Sequence, residues 1–155
     1  NIHVGGAYGD KPTTLARFVQ NFSLLNIDTQ KRLVIENDDS PNEYSVKDLF
    51  EGIYKSIGIP ITFDYFHHKF NTGGLNEEEA LKLAATTWPQ GITQCCHYSE
   101  SRRKEKLDES IRPQAHSDII YNKIHTYGLE PDIVVEAKLK EQAVFNHWSL
   151  ARPMQ

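Results

Sequence analysis

Five short apolar runs, each carrying at or near its end a side chain that can bind a metal or move a proton, limit most tightly what this chain can fold into. They are Ile2-His3-Val4, Leu33-Val34-Ile35-Glu36, Ile61-Thr62-Phe63-Asp64, Ile92-Thr93-Gln94-Cys95-Cys96-His97 and Ile133-Val134-Val135-Glu136. The steps from His3 to Glu36, Asp64, His97 and Glu136 are about 33, 28, 33 and 39 residues, roughly one βα unit each. Parallel strands joined by helical crossovers bring their carboxyl ends to one side of the sheet. His3, Glu36, Asp64, His97 and Glu136 are therefore expected to converge, and that regularity points to a metal-dependent hydrolase.

The segments between the runs have helical periodicity. Over 45–58, Val46, Leu49, Phe50, Ile53 and Ile57 recur at three- and four-residue steps, the stripe of an amphipathic helix. Ser45 is placed to cap it, with Asp48 three residues on, and Gly58 stops it. Over 76–88, Asn76 and the acidic trio Glu77, Glu78 and Glu79 suit the positive end of a helix dipole, and Leu81, Leu83, Ala84 and Trp88 form the apolar side. Segments 12–26, 115–127 and 139–148 also read as helices, with Pro12 acceptable in a first turn.

Strands near 2–5, 32–36, 60–66, 91–98 and 132–137 thus alternate with helices, which implies a parallel sheet covered by helices. Near-continuous apolar strands fit burial on both faces. A full (β/α)8 barrel takes about 250 residues, so the 155-residue chain reads as a single domain of five of eight βα units of a TIM barrel, with three strands missing on the N-terminal side. A doubly wound open sheet is the alternative. No GxGxxG or GxxxxGK[ST] loop follows a strand, which removes support for its nucleotide-binding forms. The chain opens at Asn1, inside an expected strand, and reads as processed or as a piece of something longer.

A hydrophobic content of 39% is enough for a packed core, and a net charge of −4 gives no global drive toward nucleic acid or membrane. No apolar run approaches the ~20 residues of a membrane span, and no signal peptide is visible. Cys95 and Cys96 are adjacent and have no other cysteine to pair with, so a reduced, intracellular protein is expected, its compartment undefined; a metal-thiolate role for Cys95 is the minor reading. The segment 99–114 is a charged connection with Arg102, Arg103, Lys104 and Lys106. It is first a solvated loop, but leaving a strand's carboxyl end it lies where basic residues could meet phosphates.

Asp64 and His67 sit three apart at a strand exit, so both can reach one ion or bridge two. A lone His3 is more often a packed histidine than a ligand. Glu36 and Glu136 are sharper, because a carboxylate directly after an apolar strand needs compensation. Mixed imidazole and carboxylate sets suit Mn²⁺, Zn²⁺ or Fe²⁺, and a pair of such ions can activate water and stabilise both oxygens of a phosphodiester displacement. His68, His125 and His147 default to packing or surface roles, while His116 begins an expected helix and can point back at the same face.

At these residues the sequence resembles the UV damage endonucleases, metal-dependent DNA repair enzymes with a TIM-barrel fold. The motifs are His3-Val4-Gly5-Gly6-Ala7-Tyr8-Gly9-Asp10-Lys11, Arg32-Leu33-Val34-Ile35-Glu36-Asn37-Asp38-Asp39, Phe63-Asp64-Tyr65-Phe66-His67-His68, His97-Tyr98-Ser99, His116-Ser117-Asp118-Ile119-Ile120 and Glu136-Ala137-Lys138-Leu139-Lys140-Glu141. The resemblance implies that His3, Glu36, Asp64, His67, His97 and Glu136 ligate a manganese-type cluster, with His116 a further ligand and Zn²⁺ or Mg²⁺ as alternative ions. Catalysis would rest on Glu36, Asp64, His97 and Glu136. Damaged double-stranded DNA would be the partner, nicked on the 5′ side of UV photoproducts and other lesions to leave a 3′-hydroxyl. Tyr8 and Lys11 would contact the DNA backbone, along with the basic residues Arg102, Arg103 and Lys104.

No membrane association or protein partner is implied. Two departures from the family stand out: Cys95 occupies a position where it usually has lysine, and nothing matches its first three strands, which carry two more histidine ligands and the lesion-probing residues. The rivals are an apurinic-site endonuclease, a sugar isomerase using a similar ligand set, and a truncated, non-catalytic remnant.

Overall fold

The structure is a computed structural model that describes residues 1–151. Four strands form one sheet, β1 (Ile35–Glu36), β2 (Ile61–Asp64), β3 (Cys95–Tyr98) and β4 (Asp132–Val135), in the order β1-β2-β3-β4. Every pairing is parallel. The expected first strand at 2–5 is reduced to a single parallel bridge from Ile2 to Ile35, and Gly5 then turns the chain away at φ 93°. The order runs straight through the sequence and never reverses. A doubly wound sheet needs a reversal to make its switch point, so that alternative is set aside in favour of a barrel-like progression.

Helices cover one face of the sheet, and eight are found among the described residues. They are α1 (Lys11–Ser23), α2 (Ile27–Gln30), α3 (Val46–Leu49), α4 (Lys55–Ile57), α5 (Tyr65–His68), α6 (Glu77–Ala85), α7 (Arg102–Lys106) and α8 (Glu141–Ala151). Between α3 and α4, Phe50–Tyr54 form a π-helical turn. Gly52 explains why α1 can lie so close there, since a Cβ would sit 2.6 Å from Leu15 Cδ1. The caps fall where expected. Ser45 and Asp48 close a capping box on α3, Asn76 and Glu79 close one on α6, and Gly58 ends α4 in the left-handed region. The core is Ile35, Ile61, Phe63, Cys96 and Tyr98 on the helix side of the sheet, packed with Leu49, Ile53, Leu81 and Ala84.

Several expected elements differ, each for a local reason. Residues 65–66 leave the strand because Asp64 Oδ1 accepts the amides of Phe66 and His67 at 2.7 Å and so starts α5. Residues 91–94 form a turn before β3, with Ile92 exposed. The expected helix at 115–127 does not form. Its amides are taken by distant acceptors: Ser117 by the Glu100 carbonyl, Asp118 and Ile119 by the Glu105 carboxylate, and Tyr121 and Asn122 by the Glu100 carboxylate. His116 therefore lies in a bridge to Ser101 rather than at a helix start. The connection at 99–114 is not all loop, since α7 occupies its first part.

Candidate metal centre

In a strand, alternate residues face the same way, so the face opposite the helices carries Glu36, Asp64 and His97. Asp64 and His97 are register partners across β2 and β3. All three are buried, at 2%, 0% and 6% exposure, and burying two carboxylates together needs compensating cations or donors. The structure supplies imidazoles. His97 Nδ1 lies 3.1 Å from Glu36 Oε1 and 3.2 Å from Glu136 Oε1. His67 Nδ1 is 3.5 Å from Glu36 Oε1 and 3.9 Å from Asp64 Oδ2. His3 Nε2 is 3.7 Å from Glu36 Oε2, and His116 Nδ1 is 3.9 Å from Glu136 Oε2. His67 neighbours both His3 and His116, with ring centroids 5.6 and 6.2 Å away. The structure thus gathers His3, Glu36, Asp64, His67, His97, His116 and Glu136 into one cluster.

Within it, two triads have ligand atoms within 4.8 Å of one another: His3, Glu36 and His67, and Glu36, Asp64 and His97. Glu36 belongs to both triads. The donor set of carboxylate oxygen and imidazole nitrogen fits a divalent transition metal. Asp64 Oδ2 adds a specific sign of fit, because it is buried with no hydrogen-bond partner, a costly state for a polar atom that a cation would relieve.

The protonation pattern has the same cause. Burial pushes Asp64 up to about 6, with His67 acting against the rise. Burial works to lower His97, but its hydrogen bonds to Glu136 and Glu36 outweigh it and raise the imidazole to about 10. Without metal, His97 is therefore the cation that holds Glu36 and Glu136 together. Glu136 is held low first by its bond to His97, and His3 is raised mainly by its bond to Asp38.

Two important neighbours of the cluster carried no role in the sequence reading. Asn37 is fully buried and clamps β1 to β2, donating to the Asp64 carbonyl at 3.1 Å and accepting the Asp64 amide at 2.9 Å. Asp38 contacts His3 Nδ1 at 2.7 Å. Both follow Glu36 in the Glu-Asn-Asp-Asp motif, and polar residues continuing past a buried carboxylate were the available signal. A third, Glu100, is 1% exposed and accepts from Tyr98 Oη, the Tyr121 and Asn122 amides and Asn122 Nδ2. It fixes the loop that presents His116.

The residues expected at DNA are placed unevenly. Tyr8 is 89% exposed. Lys11 Nζ is tied to Asp48 at 3.1 Å, Arg102 to Asp118 at 3.1 Å and Arg103 to Glu109 at 2.9 Å. Lys104 is exposed and enters no ion pair among the described residues.

Sequential parallel strands covered by helices, with imidazoles and carboxylates gathered on their carboxyl rim, define a partial α/β fold of TIM-barrel type with a candidate metal site. The UV-endonuclease UvdE family model matches residues 1–152, and the chain belongs to that family. It is 38% identical over 150 residues to a UV-damage endonuclease of Schizosaccharomyces pombe, covering 93% of this chain and 24% of that protein. It is 37% identical to a UV DNA damage endonuclease of Bacillus pumilus, covering 93% of this chain and 45% of the relative. The crystal structure of SacUVDE superposes with a TM-score of 0.76 at 32% identity, over 97% of this chain and 51% of that one. The chain thus spans between about a quarter and about half of the length of these relatives. Among the described residues, no helix is long and apolar enough to cross a membrane.

Proposed function

We propose that this chain carries the metal centre of a DNA repair endonuclease that hydrolyses the phosphodiester on the 5′ side of UV photoproducts and other lesions, leaving a 3′-hydroxyl. The observation that carries the reading is the single cluster of His3, Glu36, Asp64, His67, His97, His116 and Glu136 in a chain of the UvdE family. These seven residues would hold manganese, with zinc or magnesium as substitutes. Bound divalent cations supply Lewis acidity and a hydroxide generated from water at neutral pH.

The chain's own groups set the conditions for that chemistry. Glu36, Asp64 and Glu136 provide hard anionic oxygens, and the Asn37 clamp keeps Asp64 in register with β1. His97 would yield its proton if a cation took over the neutralisation of Glu36 and Glu136, and metal binding would then release protons. Damaged double-stranded DNA would lie across the rim, with Tyr8 and Lys104 directly available and Lys11, Arg102 and Arg103 exchanging carboxylate partners for phosphates. An intracellular setting goes with such a substrate.

The test is a nicking assay in Mn²⁺ on UV-irradiated, abasic and untreated plasmid. The reading predicts UV-dependent nicks whose 3′ ends a polymerase extends directly. Nicks at abasic sites alone would support the apurinic-site enzyme, and no nick in DNA despite tight Mn²⁺ binding would support a sugar isomerase or a non-catalytic module. The module reading draws on β4, whose inward residues Asp132 and Val134 are exposed and whose edge away from β3 is unpaired among the described residues.

A further inference from the structure

Imidazole ligation depends on which ring nitrogen keeps its proton, and that is set by what the other nitrogen touches. Three histidines of the cluster have Nδ1 against a fixed oxygen. His67 Nδ1 is 2.9 Å from the Asn37 carbonyl, and His116 Nδ1 is 3.0 Å from the Glu136 carbonyl. Those acceptors are main chain, and side-chain substitution leaves them in place. His3 differs, because its Nδ1 lies 2.7 Å from a side-chain oxygen, Asp38 Oδ1. A carboxylate only accepts, so the neutral ring keeps its proton on Nδ1 and leaves the Nε2 lone pair free. Nε2 is the nitrogen that stands 3.7 Å from Glu36 Oε2, facing the centre.

His3 also needs an external hold more than the others do. Its side chain is 43% exposed, and its strand is a single bridge at Ile2. Asp38 is well placed to provide that hold. It is buried at 6% exposure, its amide donates to the Tyr44 carbonyl at 2.8 Å, and its Oδ2 accepts the Tyr44 amide at 3.2 Å. One oxygen is therefore anchored to the Tyr44 main chain while the other addresses His3.

The geometry points to Asp38 as a positioning residue that fixes the Nδ1–H tautomer and ring orientation of His3 and so makes Nε2 the metal-binding atom. This rests on the metal-centre reading above for its consequence, but the tautomer itself exists without metal. Losing such an outer contact typically costs about 10–100-fold in metal affinity.

Two measurements on the 155-residue chain test it. In alkaline buffer without metal, ¹H–¹⁵N correlation of the His3 ring should show the Nδ1–H tautomer, and Asp38→Ala should convert it to Nε2–H. Asp38→Asn leaves one acceptor oxygen for two donors, the Tyr44 amide and the His3 ring, and should lower the Nδ1–H population. In calorimetric Mn²⁺ titrations, Asp38→Ala should weaken binding by about 10–100-fold and should add nothing in a His3→Ala background. An Nε2–H tautomer in the unsubstituted chain overturns the proposal. So does an equal affinity loss from Asp38→Ala with and without His3, since Asp38 would then act through the Tyr44 main chain. Absence of any Mn²⁺ binding would break the metal reading instead, and the metal-free tautomer measurement would still decide the Asp38–His3 wiring.

Discussion

The floor and the rim of the centre are built by different means. Glu36, Asp64 and His97 stand on β1, β2 and β3, each paired with parallel neighbours, and are almost fully buried. Their positions follow from register, which a strand cannot change by one residue without turning every side chain over. His3, His116 and Glu136 stand at the edges, with side chains 43%, 27% and 34% exposed. They are held by borrowed contacts: Asp38 for His3, the Glu100-fixed loop for His116, and His97 for Glu136. The floor is thus set by the sheet, whereas the rim depends on side chains that can be replaced one at a time.

The largest effect should come from the floor. Glu36→Gln keeps shape but removes the charge shared by both triads, and Mn²⁺ affinity should fall by more than the roughly 100-fold upper range of outer-contact losses, with nicking abolished; calorimetry and the plasmid assay read both. At the rim, Glu136→Gln should also abolish nicking, while the circular dichroism spectrum and thermal midpoint change little. Retained nicking there would place catalysis elsewhere.

A third test strikes the support of the rim rather than the rim itself. Glu100→Ala strips the acceptor from Tyr98 Oη and the Tyr121 and Asn122 amides. Each unsatisfied buried group costs about 1–3 kcal/mol, so urea unfolding should show a loss of that order or more, with Mn²⁺ affinity reduced through His116. An unchanged stability would mean the loop is not held as described.

The next test uses pH on the metal-free chain. His97 is raised to about 10, so its contribution to stability is complete below its unfolded value of about 6.5 and lost as pH climbs through 10. Asp64, raised to about 6, likewise stabilises when protonated, an effect complete below about 3.9 and lost as pH rises through 6. Stability should therefore fall in two alkaline-going steps. His97→Gln should remove the upper one, which denaturant midpoints measured across pH would reveal. Smallest of all, Lys104→Ala should weaken DNA binding uniformly over sequence and lower the salt slope by about one.

Much of the frame was legible because its signals are local. Ser45 with Asp48, Asn76 with Glu79, and Gly58 mark helix ends within four residues of themselves, and the strand-end acids announce themselves by sitting against apolar runs. What escaped depends on contacts remote in sequence. The 115–127 segment has helical periodicity, yet its amides bind Glu100 and Glu105, and nothing within the segment shows that. In the π-helical turn, Gly52 makes room for Leu15 of another helix, a contact remote in sequence. Asp38 and Asn37 were visible inside a recognisable motif, but their roles require knowing that His3 and Asp64 come to lie beside them. Strand register brings the candidate ligands together, and the side chains that contact them are seen only in the folded chain.

Anomalous diffraction from crystals soaked in Mn²⁺, collected at the manganese edge, addresses the shared centre most directly. The account predicts anomalous peaks within coordination distance of Glu36 and bounded by Asp64, His97, His67 and His3, weakened or lost in Glu36→Gln crystals. Peaks confined to other acidic surfaces, or no peak beside Glu36 at saturating Mn²⁺, would contradict it.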